Sequence, residues 1–179
     1  MEKANLNKFD PFRSRLARDI RNSLSNSFLL ALAEKAPELY RNKAGDYLAQ
    51  NLEQPYQEYV RERLKKYDVV CDTIIHKSSN DKMQQAAVLW AYGLYFEMHE
   101  LLEELWVKAE GTRRKALHGI IRAAGMKIHA ESGNLKAAVS MGRKARADLE
   151  LYGTSLTDFA ALESLAAEVD RTLTEMAGI

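Results

Sequence analysis

Tyr92-Gly93-Leu94-Tyr95-Phe96-Glu97-Met98-His99-Glu100-Leu101-Leu102-Glu103-Glu104-Leu105-Trp106 is the stretch whose reading decides the fold. It spans about four helical turns and has none of the alternation of a strand. Stepping about 100° per residue places Met98, Leu101, Leu102, Leu105 and Trp106 on one apolar face and turns Glu97, Glu100 and Glu104 away from it. His99 and Glu103 fall on the edge of that face, four residues apart. At that spacing a carboxylate can accept a hydrogen bond from the imidazole and hold its tautomer.

The segment that follows repeats the pattern. Glu110-Gly111-Thr112 makes a short turn, a helix from about Arg113 to Ser132 ends at Gly133, and Asn134 caps a further helix to Tyr152-Gly153. Turns this short make antiparallel neighbours, so the three helices form an up-down-up trio. On the middle one, Leu117, Ile121, Ala124 and Ile128 make the apolar stripe, with His118, Arg122, Gly125 and His129 in a second stripe beside it. An interior glycine costs about 1 kcal/mol relative to alanine, so Gly125 serves close approach or space rather than helicity. On the third helix Ala138, Gly142, Ala145 and Leu149 form a stripe small enough to be buried against a neighbour. A last helix, about Thr157 to Met176, packs through Phe159, Leu165 and Val169.

Upstream, Asp10-Pro11 reads as a cap and first helical position for a helix to about Ser23, and Ser25 or Ser27 caps a second ending before Pro37. A third runs from about Glu38 to Gln50, and Pro55 opens a fourth to about His76. Ser78-Ser79-Asn80-Asp81 is the most loop-like stretch and caps the long helix that carries the signature. It divides the chain into an N-terminal helical half, 1–80, and a signature-bearing half, 81–179, expected to pack as one compact domain. The expected fold is all-α: a helical bundle of about seven or eight helices with antiparallel hairpins.

Composition removes several classes of function. With 26 basic and 25 acidic residues the net charge is +1, which supplies no field for nucleic acid, so none is expected as a partner. Arg13, Arg15, Arg18 and Arg21 form one basic run and Arg61, Arg63, Lys65 and Lys66 another, but Asp19, Glu58, Glu62 and Asp68 interleave them as on solvated faces. Cys71, the only cysteine, excludes an internal disulfide and reads as an inert core thiol. No apolar run approaches the roughly 20 residues that span a bilayer, and residues 1–11 lack a secretory signal. A cytoplasmic, non-membrane protein is expected.

The chemistry is concentrated in Glu97, His99, Glu100, Glu103 and Trp106 on the signature helix, and in His118, Arg122 and His129 on the next. If the two helices pack antiparallel, His99 and Glu103 face His118, Arg122 or His129 across the seam. Three readings follow: a hydrogen-bond network that fixes register, with Arg122 neutralising Glu103; a small ligand or catalytic pocket; and a metal site. Metal is the weakest, because His99-Glu100-Leu101-Leu102-Glu103 has glutamate where the zinc-protease pattern needs a second histidine, and Arg122 repels a cation. No metal and no cofactor is expected. No nucleophile elbow, Walker loop or dinucleotide turn is present.

Gly93, Phe96-Glu97, His99-Glu100, Glu103 and Trp106, in that order, resemble the Phe-Glu-x-His-Glu-x-x-Glu-x-x-Trp signature of the domain of unknown function 309 family, a group of small all-helical proteins. Leu117, Gly119, Ile121, His129 and Gly133-Asn134 match its second block, so the resemblance runs from about Ala87 to Leu149. It implies an all-helical fold and no activity, cofactor or substrate. His118 and Arg122 depart from it, standing where the family is expected to carry glutamines. The reading is therefore an uncharacterised helical protein that binds a protein partner or itself, as an interaction or structural module with a buried His/Glu network. The alternative is a small-ligand-binding protein or hydrolase-like enzyme using a His99/Glu103/His129 cluster, with or without a metal.

Overall fold

Ser14 stands in extended backbone, and its side chain accepts a hydrogen bond from the Ala17 N–H at 3.2 Å, the arrangement that starts a helix. From it α1 (Arg15–Glu34) runs unbroken until Lys35 enters the left-handed region at φ 56° and returns its N–H to the Ala31 carbonyl. The sequence reading divided this segment into two helices, capped at Asp10 and at Ser25 or Ser27. The apolar period Ala17, Ile20, Leu24, Phe28, Ala31 passes through the serines without a change of phase, and burial of that stripe outweighs their preference for caps. Ser27 donates back to the Leu24 carbonyl at 2.8 Å, while Asp10 makes only a turn, accepting from the Phe12 N–H at 2.9 Å.

The computed structural model describes residues 8–76 and 80–178, so Ser78 and Ser79 of the expected loop lie outside the described residues, as does the side chain of His76. The chain divides into two compact units, Met1–Ser78 and Ser79–Ile179. In the first, α1 packs with α2 (Glu38–Leu48) and α3 (Gln54–His76) around an aromatic centre. Phe28 stacks on Tyr67 at 4.1 Å between ring centroids, and Tyr40 meets both edge-on at 5.6 Å. Burial, and then the 2.8 Å hydrogen bond donated to Asp68, push the Tyr40 hydroxyl far above its ordinary pKa. Cys71 is buried, and burial pushes its thiol up, as suits an inert core position.

The second unit holds α4 (Lys82–Ala91), α5 (Tyr95–Lys108), α6 (Gly111–Glu131), α7 (Leu135–Tyr152), a single 3-10 turn (Gly153–Ser155) and α8 (Leu162–Ala177). Asp81 caps α4, accepting from the Met83 N–H at 2.8 Å. The long signature helix expected from this cap does not form. Gly93 takes φ 66° and the Leu94 N–H returns to the Leu89 carbonyl at 2.9 Å, a left-handed closure open to glycine at little cost. The signature therefore begins a helix rather than continuing one. Gly111 and Gly133, at φ 57° and 77°, make the other two turns where the sequence placed them.

α6 packs against α5 and, over a longer seam, against α7; α8 covers α7. The α6/α7 seam is set by glycines. A Cβ on Gly119 would lie 3.0 Å from both Asp148 Cβ and Leu149 Cδ2. One on Gly142 would lie 2.6 Å from Met126 Sδ and 2.8 Å from Leu173 Cδ2. Ala138, Gly142, Ala145 and Leu149 are the buried stripe of α7, as their spacing requires. Among the described residues there are eight α-helices and no strand, so the protein is all-α, and no helix is long and apolar enough to cross a membrane.

Candidate functional site

The break at Gly93 puts the N-terminus of α5 directly before Phe96-Glu97. Glu97, in the first turn of α5, is fully buried, although the helical step from Met98 and Leu101 turns it away from the apolar face. A carboxylate is favoured in a first turn, where free N–H groups and the positive end of the helix dipole lie close. Met98, Leu101 and Leu102 are buried as expected, and Leu105 and Trp106 are half-buried.

His99 is half-buried, and its ring is held on its own helix. Nδ1 lies 3.3 Å from Glu100 Oε1 and Nε2 lies 3.8 Å from Glu103 Oε1. The next acid along, Glu104, is taken by Lys82 at the start of α4. One ligand atom from each of His99, Glu100 and Glu103 lies within 4.8 Å of the others, the spacing that lets donors converge on a cation. All three come from one short arc of one helix, Glu103 is exposed, and no other described His, Cys, Asp or Glu joins them. A centre that held a metal firmly would draw ligands from a partner helix as well. The set is an open polar edge.

The α6 residues do not meet that edge. No hydrogen bond or ion pair joins His99 or Glu103 to His118, Arg122 or His129. Arg122 pairs instead with Asp148 of α7, and the two side chains are 28% and 21% exposed. The physical cause is the close α6/α7 approach at Gly119, which brings the Asp148 backbone alongside and leaves its carboxylate within reach of the guanidinium. The pairing of Arg122 with Glu103 across the α5/α6 seam is thus replaced by one across the opposite seam. Gly125 also faces α7, where a Cβ would lie 2.7 Å from Met141 Sδ.

His118 is the link between the two faces. Its ring lies 5.5 Å from that of Trp106, and the Arg114 guanidinium covers the same indole at 4.2 Å from its centroid. Trp106 is therefore half-covered by cationic and imidazole groups of α6 rather than sunk in the core, as its place on the apolar face had suggested. Burial lowers the His118 pKa below its ordinary value, and the nearby Arg122 charge lowers it further. Burial alone lowers that of His129, which lies one turn from the end of α6 and whose carbonyl accepts the Asn134 N–H at 2.9 Å.

Two polar groups went unread in the sequence. Lys127 pairs with Glu168 of α8 at 2.6 Å and sits over the Tyr95 ring at 5.4 Å, tying α6 to α8 and to the start of α5. Burial lowers the Lys127 pKa, but the bond to Glu168 and the Tyr95 hydroxyl outweigh it and the net shift is upward. The only sequence signal was a lysine between the apolar Met126 and Ile128 of an amphipathic helix. Elsewhere, a groove of about 380 Å³ runs between α7 and α8, floored by Leu149, Leu162, Ala166 and Val169, and none of the signature residues lines it.

Residues 83–141, from α4 into α7, match the family model described as Domain of unknown function (DUF309). The resemblance read from the signature is thereby supported over about a third of the chain. Neither the curated proteins nor the solved structures contain a match to this chain.

Proposed function

We propose, from a family match whose description assigns no activity, that this chain is a non-enzymatic helical interaction module. Its contact surface is the His99, Glu100 and Glu103 edge of α5, with Trp106 one turn further on. The observation that carries this reading is the pair of contacts His99 makes to Glu100 and Glu103 on its own helix. They fix the imidazole without using α6, and they leave two carboxylates directed outward at the rim of an amphipathic helix. A partially exposed aromatic beside fixed polar groups is the make-up of an interface core with its polar rim. The partner such an edge accepts carries cationic or N–H donor groups.

The enzyme reading, with His99, Glu103 and His129 in one pocket, has less support, because a general base and its orienting group must share hydrogen-bond reach and His99 has no bond to His129. The test compares wild-type chain with His99→Ala/Glu103→Gln as baits for proteins of the source cell, quantified by mass spectrometry after chemical crosslinking. At least one protein is expected at tenfold lower recovery on the variant, with melting temperatures of the two baits within about 2 °C. Equal recovery of every protein, or a variant that melts far lower, sinks the interaction surface and returns the cluster to a structural role.

A further inference from the structure

We propose a second docking surface, on the outer face of α7, that takes an acidic amphipathic segment of a partner protein. It does not depend on the signature edge. From Leu135 to Ala147 the chain reads Leu-Lys-Ala-Ala-Val-Ser-Met-Gly-Arg-Lys-Ala-Arg-Ala, with four cations and no acid. Arg146 is neutralised by Asp170 of α8 at 3.4 Å. Lys136, Arg143 and Lys144 are exposed, and among the described residues none of the three has a hydrogen-bond or ion-pair partner. Four other cations of this unit are paired, Lys82 with Glu104, Arg113 with Asp158, Arg122 with Asp148 and Lys127 with Glu168, while Lys108 and Arg171 are exposed but line no part of the depression that those three share.

The three free cations share one face with Leu135, Val139 and Ser140, and together these six residues line a shallow depression of about 550 Å³. Leu135 is 38% exposed. Eight residues of helix place Lys136 and Lys144 about 12 Å apart along the axis, three turns at most of a facing helix. The surface thus offers an apolar floor for one or two side chains with positive charge at both ends. Its complement is a segment with Asp or Glu flanking an aliphatic or aromatic residue, the helix-in-groove mode of recognition. A nucleic-acid surface needs a larger cationic excess than three side chains on a chain of net charge +1. A membrane-surface helix lays down a broad apolar face, and only Leu135 and Val139 of these six residues are apolar.

The test selects a phage-displayed library of random 16-residue peptides on the immobilised full chain and depletes it on Lys136→Gln/Arg143→Gln/Lys144→Gln. Glutamine keeps the helix propensity of these exposed positions, and a matched thermal melt verifies the fold. Enriched peptides are expected to carry two or more acids around an apolar residue and to bind the wild type at least tenfold more tightly than the triple variant. Their binding should weaken with added salt, weaken again in Val139→Ser, and shift the amide resonances of residues 135–144. Enrichment that ignores the triple substitution, enriched peptides without acids, or no enrichment at all overturns the proposal. So does tighter binding, through the same three cations, of a 30-nucleotide single strand or of phosphatidylserine vesicles than of any selected peptide.

Discussion

The two faces of α6 are built on opposite principles. Toward α7 it presents Gly119 and Gly125 to a helix that answers with Gly142, and neighbouring side chains occupy the room these glycines leave, so that a single Cβ on Gly142 would intrude on Met126 and on Leu173 of α8. Toward α5 it presents Arg114 and His118, which lie over Trp106 and leave that indole half-exposed. One seam is filled by apolar side chains seated against glycines and the other is loosely covered by long polar ones. The residues of the signature belong to the loose side. A packed core explains the glycines; it does not explain His99, Glu100 and Glu103.

The largest effect is therefore expected at the tight seam. Gly142→Val forces atoms between Met126, which is fully buried, and Leu173, and is expected to cost about 2–3 kcal/mol, the usual range for overpacking. Gly125→Ala is its control. There the added Cβ meets only Met141 Sδ, on a half-buried side chain free to rotate outward, and alanine gains about 1 kcal/mol of helix propensity. Urea unfolding of the two variants is expected to separate them by more than about 1 kcal/mol. Equal losses would mean that the two glycines do the same work and that α7 does not approach more closely at one than at the other.

How far the sequence reached depends on the same contrast. The turns at Gly111 and Gly133 and the buried stripe of α7 were legible, because a glycine after a helix and small residues every third or fourth position have few alternatives. The continuity of α1 was not, since a serine is as acceptable to a helix back-bonding to its own carbonyls as it is to a cap. The break at Gly93 was not legible, because one glycine in a helical run has several readings, and Glu97, which the helical step turns away from the apolar face, is nevertheless buried in the first turn of α5. Arg122 was matched with the wrong acid because periodicity gives the face a side chain occupies and not which neighbour faces it. The cations of α7 escaped notice for a simpler reason. The buried stripe of that helix has a helical period, and the opposite face carries no motif.

A double-mutant cycle sharpens the assignment of Arg122. Arg122→Ala and Asp148→Ala are expected to show a coupling of about 0.5–1.5 kcal/mol, more than an exposed pair because both side chains are less than one-third exposed. The same cycle with Glu103→Gln is expected to give coupling within error. Coupling to Glu103 as large as to Asp148 would return Arg122 to the α5/α6 seam.

A smaller effect distinguishes the faces by pH. The pKa of His118 is lowered in the folded protein, first by burial and then by Arg122, and that of His129 is lowered by burial. A lowered folded-state pKa means that the unfolded chain binds more protons near its own value of about 6.5. Their contribution to stability is therefore present above about pH 6.5 and is lost as the pH falls below it. The melting temperature is expected to drop between pH 7.5 and 5.5, and to drop less in His118→Gln/His129→Gln. An unchanged slope in that variant would show that neither imidazole is desolvated by the fold.

The smallest expected effect is the most telling for function. His99→Ala removes a half-buried ring whose contacts go to two glutamates of its own helix, Glu103 exposed and Glu100 half-buried. Nothing across a seam is stranded, so the change in unfolding free energy is expected within about 0.5 kcal/mol, as for ordinary surface positions. A register lock predicts a loss of about 1–3 kcal/mol, the cost of leaving a buried partner unsatisfied. Guanidinium or urea melts resolve that difference, and they do so without knowledge of any partner. A large loss would place His99 in the core after all and withdraw the proposed contact surface; a small one leaves three polar side chains that stabilise the fold little, as that proposal requires.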